Sequence, residues 1–499
     1  MENYISTLGL MFSDPLLLTL VLAGTILGIV FGAIPGLNAT MGVTLCLPLT
    51  FMLEPNQGIA MLMAIYIGGI SGGFISACLI GIPGTGSSVA TCFDGYPMTL
   101  NGEPGRALGI GMFASFIGTL GSTLVAMALC EPIANLALMM GPWEYFSLCT
   151  CAITLVVALS DGNVFKGIAA ALIGVLFSCV GTSPIDAAKR FTFGLNNLQG
   201  GINMVPLMLG LFALRLLMMN FAKQNQKTPD VDTGSLKGLG IRIRDLKDNV
   251  VNIIRSFFLG LWIGFLPGMG GNVANMVSYA TAKKASKHPE KFGTGCPDGI
   301  FAPEVSNNAT IGGAIVPMIS MGIPGDGVTA ILLGGLMIHG IEPGPLLMRN
   351  EPQLVYVIFC TMLIATILTL VLQTFGMRIF PQMLRIPYHY LYSVITIVCF
   401  IGAFSVSTNI FNCYVMIFMG AVAILLSWGG FPISAVVLGF VLGGTMEENL
   451  RKGLVYADDG FMSFLTRPVS ALFLAIAVIS VIYNLASPYW KKRKAAKKA

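Results

Sequence analysis

Two short strings carry the residues from which chemistry could be built. GIPGTGSS, residues 81–88, follows the apolar run 57–80, and GIPGDG, residues 322–327, follows another. Each places a proline, glycines and hydroxyl or acidic groups where a membrane helix should still be running. Proline removes a backbone donor, and glycine lets the chain turn and lets a ligand reach the backbone. In hydrocarbon such an interruption survives only where protein buries it or water lines it, so both strings are expected at a ligand site. The outgoing half-helix of each break should start with N–H groups carrying partial positive charge, which favours an anion. The expected contacts are Gly84, Thr85, Gly86, Ser87 and Ser88 in the first break and Gly325, Gly327 and Thr329 in the second.

Two further strings offer the same chemistry. GAIPGLNAT, residues 32–40, supplies Gly36, Asn38 and Thr40, whereas GFLPGMGGN, residues 264–272, supplies Gly268, Gly270 and Asn272, with Asn275 one turn on. If all four meet, they form a cage rich in donors and poor in fixed charge, suited to an anion. Asp326 is an acid at a depth where charge is costly and therefore suggests a task. With Asn307 and Asn308 it makes a hard-oxygen set for Na⁺ as a coupling ion; alternatively it carries a proton, or caps the half-helix after Gly327. Glu304 is expected to cap a helix that begins near Ser306. Arg106, Asp94 and Glu103 are expected as anchors at the inner end of the first broken helix, and His288, His339 and His389 as packing or interface residues. The eleven cysteines lie mostly in apolar runs with no CxxC spacing, so they read as small buried hydrophobes and no resident cofactor is expected. No HExxH or Walker lysine is present, and Ile323 spoils the GxGD pattern of an intramembrane protease at Asp326. An enzyme is not expected.

The elements that must position these residues follow from composition and repetition. With 55% hydrophobic and 10% charged residues over 499 positions, the chain cannot be an ordinary soluble protein, in which roughly a quarter of residues are charged. Runs long enough to cross a bilayer, about 20 helical residues, recur throughout, and the expected fold is an all-α polytopic membrane protein. The N-terminus has no Lys or Arg and reads as retained in the mature protein. Three landmarks occur twice in one order: the hairpin string, the GIPG string, and then GEPG or IEPG. The expected division is a first repeat over 1–221, a cytoplasmic linker over 222–249, a second repeat over 250–445, and an extra helix with a basic tail over 446–499.

Charge sets the orientation. The first hairpin is flanked by Asp14 and Glu54, the second by Arg242, Arg244, Lys247, Lys283, Lys284, Lys287 and Lys291. Because basic flanks stay in the cytoplasm, the first hairpin should dip from outside and the second from inside, as in inverted repeats. Crossings at 57–100, 107–129, 143–160, 164–181 and 204–221, then 308–341, 353–376, 388–404, 411–428 and 432–445, with a last helix at 467–488, put the N-terminus outside and the C-terminus inside. Arg106, Lys166, Arg378, Arg385 and the tail then fall on the inner side. Lys189, Arg190, Arg349, Arg451, Lys452 and Arg467 fall outside, Lys189 and Arg190 being the poorest fit.

The strings GAIPGLNATMGVTLCLPLTF, GIPGTGSSVATCFDGYPMTLNGEPGRALGIG, FLPGMGGNVANMVSYATAKKASKHPEKFGTG and GIPGDGVTAILLGGLMIHGIEPGP resemble those of the large membrane subunit of the bacterial tripartite tricarboxylate transporters. The likeness covers nearly the whole chain and is least distinctive after about residue 457. It implies a permease of the bacterial cytoplasmic (inner) membrane with two partners, a small membrane subunit and a periplasmic substrate-binding protein. It also implies uptake of tricarboxylates or dicarboxylates driven by a cation gradient. The paired hairpins suggest an elevator-like motion. A stand-alone carrier or a channel for organic anions is the alternative; no nucleic-acid partner is expected.

Overall fold

The computed structural model describes residues 2–159, 164–183, 185–221, 240–377, 379–383, 388–457 and 459–496. The chain opens with helices α1 (Glu2–Ser13), α2 (Pro15–Ala33), α3 (Ala39–Cys46), α4 (Pro55–Ile80), α5 (Cys92–Leu100) and α6 (Pro104–Ala137). Next come α7 (Pro142–Leu159) and α8 (Val164–Ser178), followed by the two-residue strands β1 (Gly181–Thr182) and β2 (Lys189–Arg190), paired antiparallel. Then α9 (Met204–Met208) continues through a π-helical stretch, Leu209–Leu214, into α10 (Arg215–Phe221). Beyond the linker lie α11 (Ile243–Phe265), α12 (Gly270–Ala285), α13 (Asp298–Met321), α14 (Gly327–Ile338), α15 (Leu347–Asn350) and α16 (Pro352–Gly376). The chain ends with α17 (Phe380–Met383), α18 (Tyr388–Ser405), α19 (Phe411–Trp428), α20 (Ile433–Val455), α21 (Met462–Thr466) and α22 (Pro468–Ala496).

The protein is an all-α polytopic membrane protein. Six of the described helices, α2, α4, α6, α16, α19 and α20, are long and apolar enough to cross a bilayer. Helix boundaries follow local chemistry. Asp14 caps α2 by accepting from Leu16 N at 3.0 Å and Leu17 N at 3.1 Å, with Pro15 in the first turn where its missing donor costs nothing. Gly81 (φ 68°) and Gly322 (φ 72°) end α4 and α13 in the left-handed region, which glycine enters without steric penalty.

α4 and α13 are buried along almost their whole length. α2 packs on α4 and α11 on α13, and α6 lies along α13. What brings these helices together is the absence of side chains. A methyl built on Gly28 of α2 would stand 2.4 Å from the Ile65 carbonyl oxygen, and one on Gly32 would stand 2.3 Å from that of Gly69. The α11–α13 contact is made the same way, with Gly260 against the Ser306 carbonyl at 2.1 Å and Gly264 against that of Thr310 at 2.6 Å. Small residues one turn apart let backbones touch, and in lipid that packing replaces the hydrophobic drive. A second group, α7, α8, α20 and α22, packs mainly within itself.

Several boundaries differ from those read in the sequence. α6 runs to Ala137 and α20 to Val455, since the polar residues beyond 445 are compatible with a helix that continues past the bilayer. α13 starts at Asp298, so Glu304 lies inside the helix and is no cap. α1 and the β1–β2 loop went unanticipated, being too short to register as spans. Residues 222–239 of the linker, with Arg378 and Arg385, lie outside the described residues.

Replacing Gly28 or Gly260 by valine is expected to cost about 1–3 kcal/mol or more, since the obstructing atoms are backbone and cannot step aside. The apparent melting temperature of the detergent-purified protein should fall. Gly444→Val, which meets nothing within 4 Å, should leave it unchanged.

Candidate functional site

The two hairpins turn at glycines. Between α2 and α3 the chain reverses at Gly36 (φ 89°), and Asn38 caps α3 by accepting from Met41 N at 2.8 Å. Between α11 and α12 it reverses at Gly268 (φ 72°) and Gly270 (φ 53°). The second tip sits between both breaks. A methyl on Gly86 would come to 3.0 Å from Asn272 Oδ1, and one on Gly271 to 2.0 Å from Asn307 Oδ1 and 2.9 Å from Ser87 Cβ. One on Gly270 would come to 2.9 Å from Asp326 Cβ. Farther down α12, Asn275 accepts from Ala90 N at 2.7 Å. The first tip reaches the second break, with Thr40 Oγ1 3.7 Å from a methyl on Gly327. Thus Thr40, Gly86, Ser87, Gly270, Asn272, Asn275, Asn307, Asp326 and Gly327 lie in one neighbourhood, none of them basic. Gly36, Gly86 and Asn272 are exposed, whereas Thr85, Ser87, Ser88, Asn275 and Thr329 are buried.

The two breaks are not alike. After Gly322 four residues, 323–326, precede α14: Asp326 caps that helix, accepting from Thr329 N at 2.8 Å, while its own N–H donates to Thr329 Oγ1 at 2.8 Å. After Gly81, by contrast, residues Gly86–Ser88 form a single 3₁₀ turn and α5 starts only at Cys92. Ser87 and Ser88 therefore do not open the outgoing helix, contrary to the reading from sequence. Their hydroxyls instead gather around Thr85 Oγ1, at 2.9 and 3.4 Å, and a methyl on Gly73 of α4 would strike Thr85 Oγ1 and Ser88 Oγ. The amide of Thr329 is likewise already committed to Asp326.

Asp326 has a further partner that sequence alone did not suggest. The wholly buried Tyr66 of α4 donates to its Oδ2 at 2.6 Å, so both carboxylate oxygens are engaged. Asn308 turns away from Asp326, its Oδ1 accepting from Ser71 at 2.8 Å and Thr119 at 3.2 Å. Asn307 is wholly buried, and neither end of its amide has a hydrogen-bond partner. The π-helical stretch brings the Phe212 ring to 3.8 Å from a methyl on Gly327, and such stretches concentrate at functional sites.

The acidic residues near the first break separate into two structures rather than one cluster. Asp94 is wholly buried, and its Oδ1 accepts from the amides of Gly293, Gly295 and Cys296 at 2.9 Å each, while Tyr279 donates to Oδ2 at 2.9 Å. It ties α5 to the segment before α13. Arg106 forms a clamp between the halves, donating to both oxygens of Asp245 at 2.6 and 3.1 Å and to Glu103 at 2.6 Å, and Arg242 also donates to Glu103 at 2.9 Å.

Interrupted helices and hairpin tips that meet at neutral polar groups, within a multi-pass helical bundle, define the class as a polytopic membrane protein. The chain belongs to the tripartite tricarboxylate transporter TctA family, whose sequence model matches residues 18–438. Membership makes it the large membrane subunit of a transporter of that class. It is 33% identical over 496 residues, covering 99% of this chain and 98% of the relative, to an uncharacterised 52.8 kDa protein in the TAR-I ttuC' 3' region of Agrobacterium vitis. An uncharacterised protein in the TAR-II ttuC' 3' region of the same organism is 34% identical over 234 residues, 47% of this chain and 97% of the relative.

Asp94→Ala would strip three backbone donors of their acceptor, a loss of at least about 2 kcal/mol. Faster tryptic cleavage at Lys287 and Lys291 and a lower melting temperature are the expected readouts.

Proposed function

We propose that this chain is the permease subunit of a binding-protein-dependent secondary transporter that imports tricarboxylates or dicarboxylates, driven by a cation gradient. The observation that carries the reading is the convergence of the second hairpin tip on both helix breaks through Gly86–Asn272, Gly271–Asn307 and Gly270–Asp326. A carboxylate there would be held by neutral donors: the Asn272 and Asn307 amides, the Ser87 and Thr85 hydroxyls and backbone N–H groups of the glycines. With no fixed positive charge, the site can release an anion as readily as take it, which a carrier requires. The remaining tip residues, Gly36, Asn38, Thr40, Gly84, Ser88, Gly268, Asn275, Gly325, Gly327 and Thr329, shape the walls.

The tripartite family implies a small membrane subunit and a periplasmic binding protein, and we assign both as partners. The basic flanks of the second hairpin favour an inner-membrane orientation with the N-terminus outside and the C-terminus in the cytoplasm. The glycine-mediated packing of α2, α4, α6, α11 and α13, set apart from the α7, α8, α20 and α22 group, favours an elevator-like displacement of the first body against the second.

Reconstitution into vesicles with both partners tests the reading. Saturable, concentrative uptake of citrate or a dicarboxylate that collapses with the sodium or proton gradient is expected. Unsaturable downhill leak would make the protein a channel, and full uptake without the binding protein a stand-alone carrier. Gly271→Ala, which pushes a methyl against Asn307, should lower uptake by about 10² or more while leaving the amount of protein in the membrane unchanged, because small misplacements at a binding centre are amplified. Gly444→Ala serves as the control.

A further inference from the structure

Glu304 stands inside α13, where it caps no helix and pairs with no base among the described residues. It is wholly buried in the middle of a membrane-embedded helix bundle. The Thr91 hydroxyl donates to Oε1; Ser115 Oγ and Asn308 Nδ2 each donate to Oε2 at 3.5 Å, and the side chains of Ser88 and Asn307 also face the carboxyl. Asn308 Nδ2 bonds Ser115 Oγ and the Glu304 carbonyl oxygen, each at 3.0 Å. Among the described residues no Lys, Arg or His pairs with Glu304. The nearby Cys78 and Cys92 are thiols rather than cations.

A lone carboxylate is costly to take out of water unless something positive accompanies it. The oxygens around Glu304 are those of its own carboxylate and of the Thr91, Ser115 and Ser88 hydroxyls, with the Asn307 and Asn308 amides beside them. They are hard ligands with a single negative charge among them, which matches a small monovalent cation and not a divalent or thiophilic metal. Asn307 supplies an independent observation. Its amide is buried and neither end makes a hydrogen bond, an arrangement that is costly unless a ligand completes it. It also stands between two places, since its Oδ1 lies against Gly271 at the second hairpin tip while the same side chain faces Glu304.

We propose that Glu304, with Asn307, Thr91, Ser115 and Ser88, is a sodium site, and that the Asn307 amide couples it to the carboxylate site. This rests on the carboxylate-transport reading only for the coupling. When sodium is present, the amide oxygen of Asn307 turns to ligate it, and the NH₂ group turns to the tip, where it donates to a substrate carboxylate. Without sodium, the oxygen faces the tip and repels the anion. Sodium and carboxylate then raise one another's affinity by the same factor, as linkage requires. Asp326, whose oxygens are engaged by Thr329 and Tyr66, is left with the capping role.

Thermal unfolding of the detergent-purified full chain, titrated with NaCl against equal KCl or choline chloride, tests the site without any substrate. Sodium should raise the melting temperature of the wild type and of Asp326→Asn, and Glu304→Gln should abolish the effect or move its midpoint at least tenfold. Should Glu304→Gln not yield folded protein by size-exclusion profile, Asn307→Ala and Thr91→Ala are expected to weaken the sodium effect at least tenfold. A wild type stabilised by acid but not by sodium, or variants at Glu304 and Asn307 that respond as the wild type does, would overturn the assignment. Vesicle uptake separates the coupling: if sodium binds at Glu304 and no carboxylate is carried, the transport reading fails and the site stands. If carboxylate uptake proceeds in Asn307→Ala with unchanged sodium dependence, the amide coupling fails.

Discussion

Everything near the centre of this protein depends on helices that touch backbone to backbone. Where Gly28 and Gly32 meet α4, and Gly260 and Gly264 meet α13, no side chain separates the two axes. Only at that distance can the turn at Gly268 and Gly270 reach between the two breaks, and only then are the buried amides, hydroxyls and acid of α13 sealed from lipid. In a soluble protein this approach would be one contact among many; in hydrocarbon, where there is no gain from hiding apolar surface, it is the main source of cohesion. The same close approach leaves the polar groups of α13 almost no room to rearrange, so each of them is either matched or conspicuously unmatched.

Much of this was legible from residue order. A proline and glycines behind a truncated apolar run require a protected interruption, and the breaks fall where GIPG stands, each announced by a left-handed glycine. The tip residues Asn272, Gly270, Ser87 and Asn307 also come together. What was not legible is the difference between the breaks. Asp326 can hold Thr329 and so restart a helix immediately, whereas Thr85 in the matching position binds Ser87 and Ser88 and leaves a 3₁₀ turn. One side chain decides this, and repeat matching treats the two as equivalent. Tyr66 likewise looks like any aromatic in an apolar run; its importance comes only from the 2.6 Å bond to a residue 260 positions away.

Glu304 illustrates a different limit. A helix expected to start near Ser306 makes it look like a cap. The helix in fact begins at Asp298 and carries Pro303 in its second turn, with α6 close enough to supply Ser115 and Thr119 as partners to α13. Asp326, the acid that sequence singled out, meets Thr329 and Tyr66, and Glu304, which sequence assigned to a cap, meets hydroxyls from two other segments. Periodicity locates a charge in depth but says nothing of which groups on other helices face it.

The Arg106 clamp has a mechanical meaning. It fastens the start of α6 to the start of α11, with Glu103 and Arg242 closing the ring, so the two hairpin-bearing halves share a bolted foundation. Prising them apart at that end would strand charges, which makes a gate that swings open there expensive. For the carrier proposed above, displacing the whole clamped unit strands none of these charges.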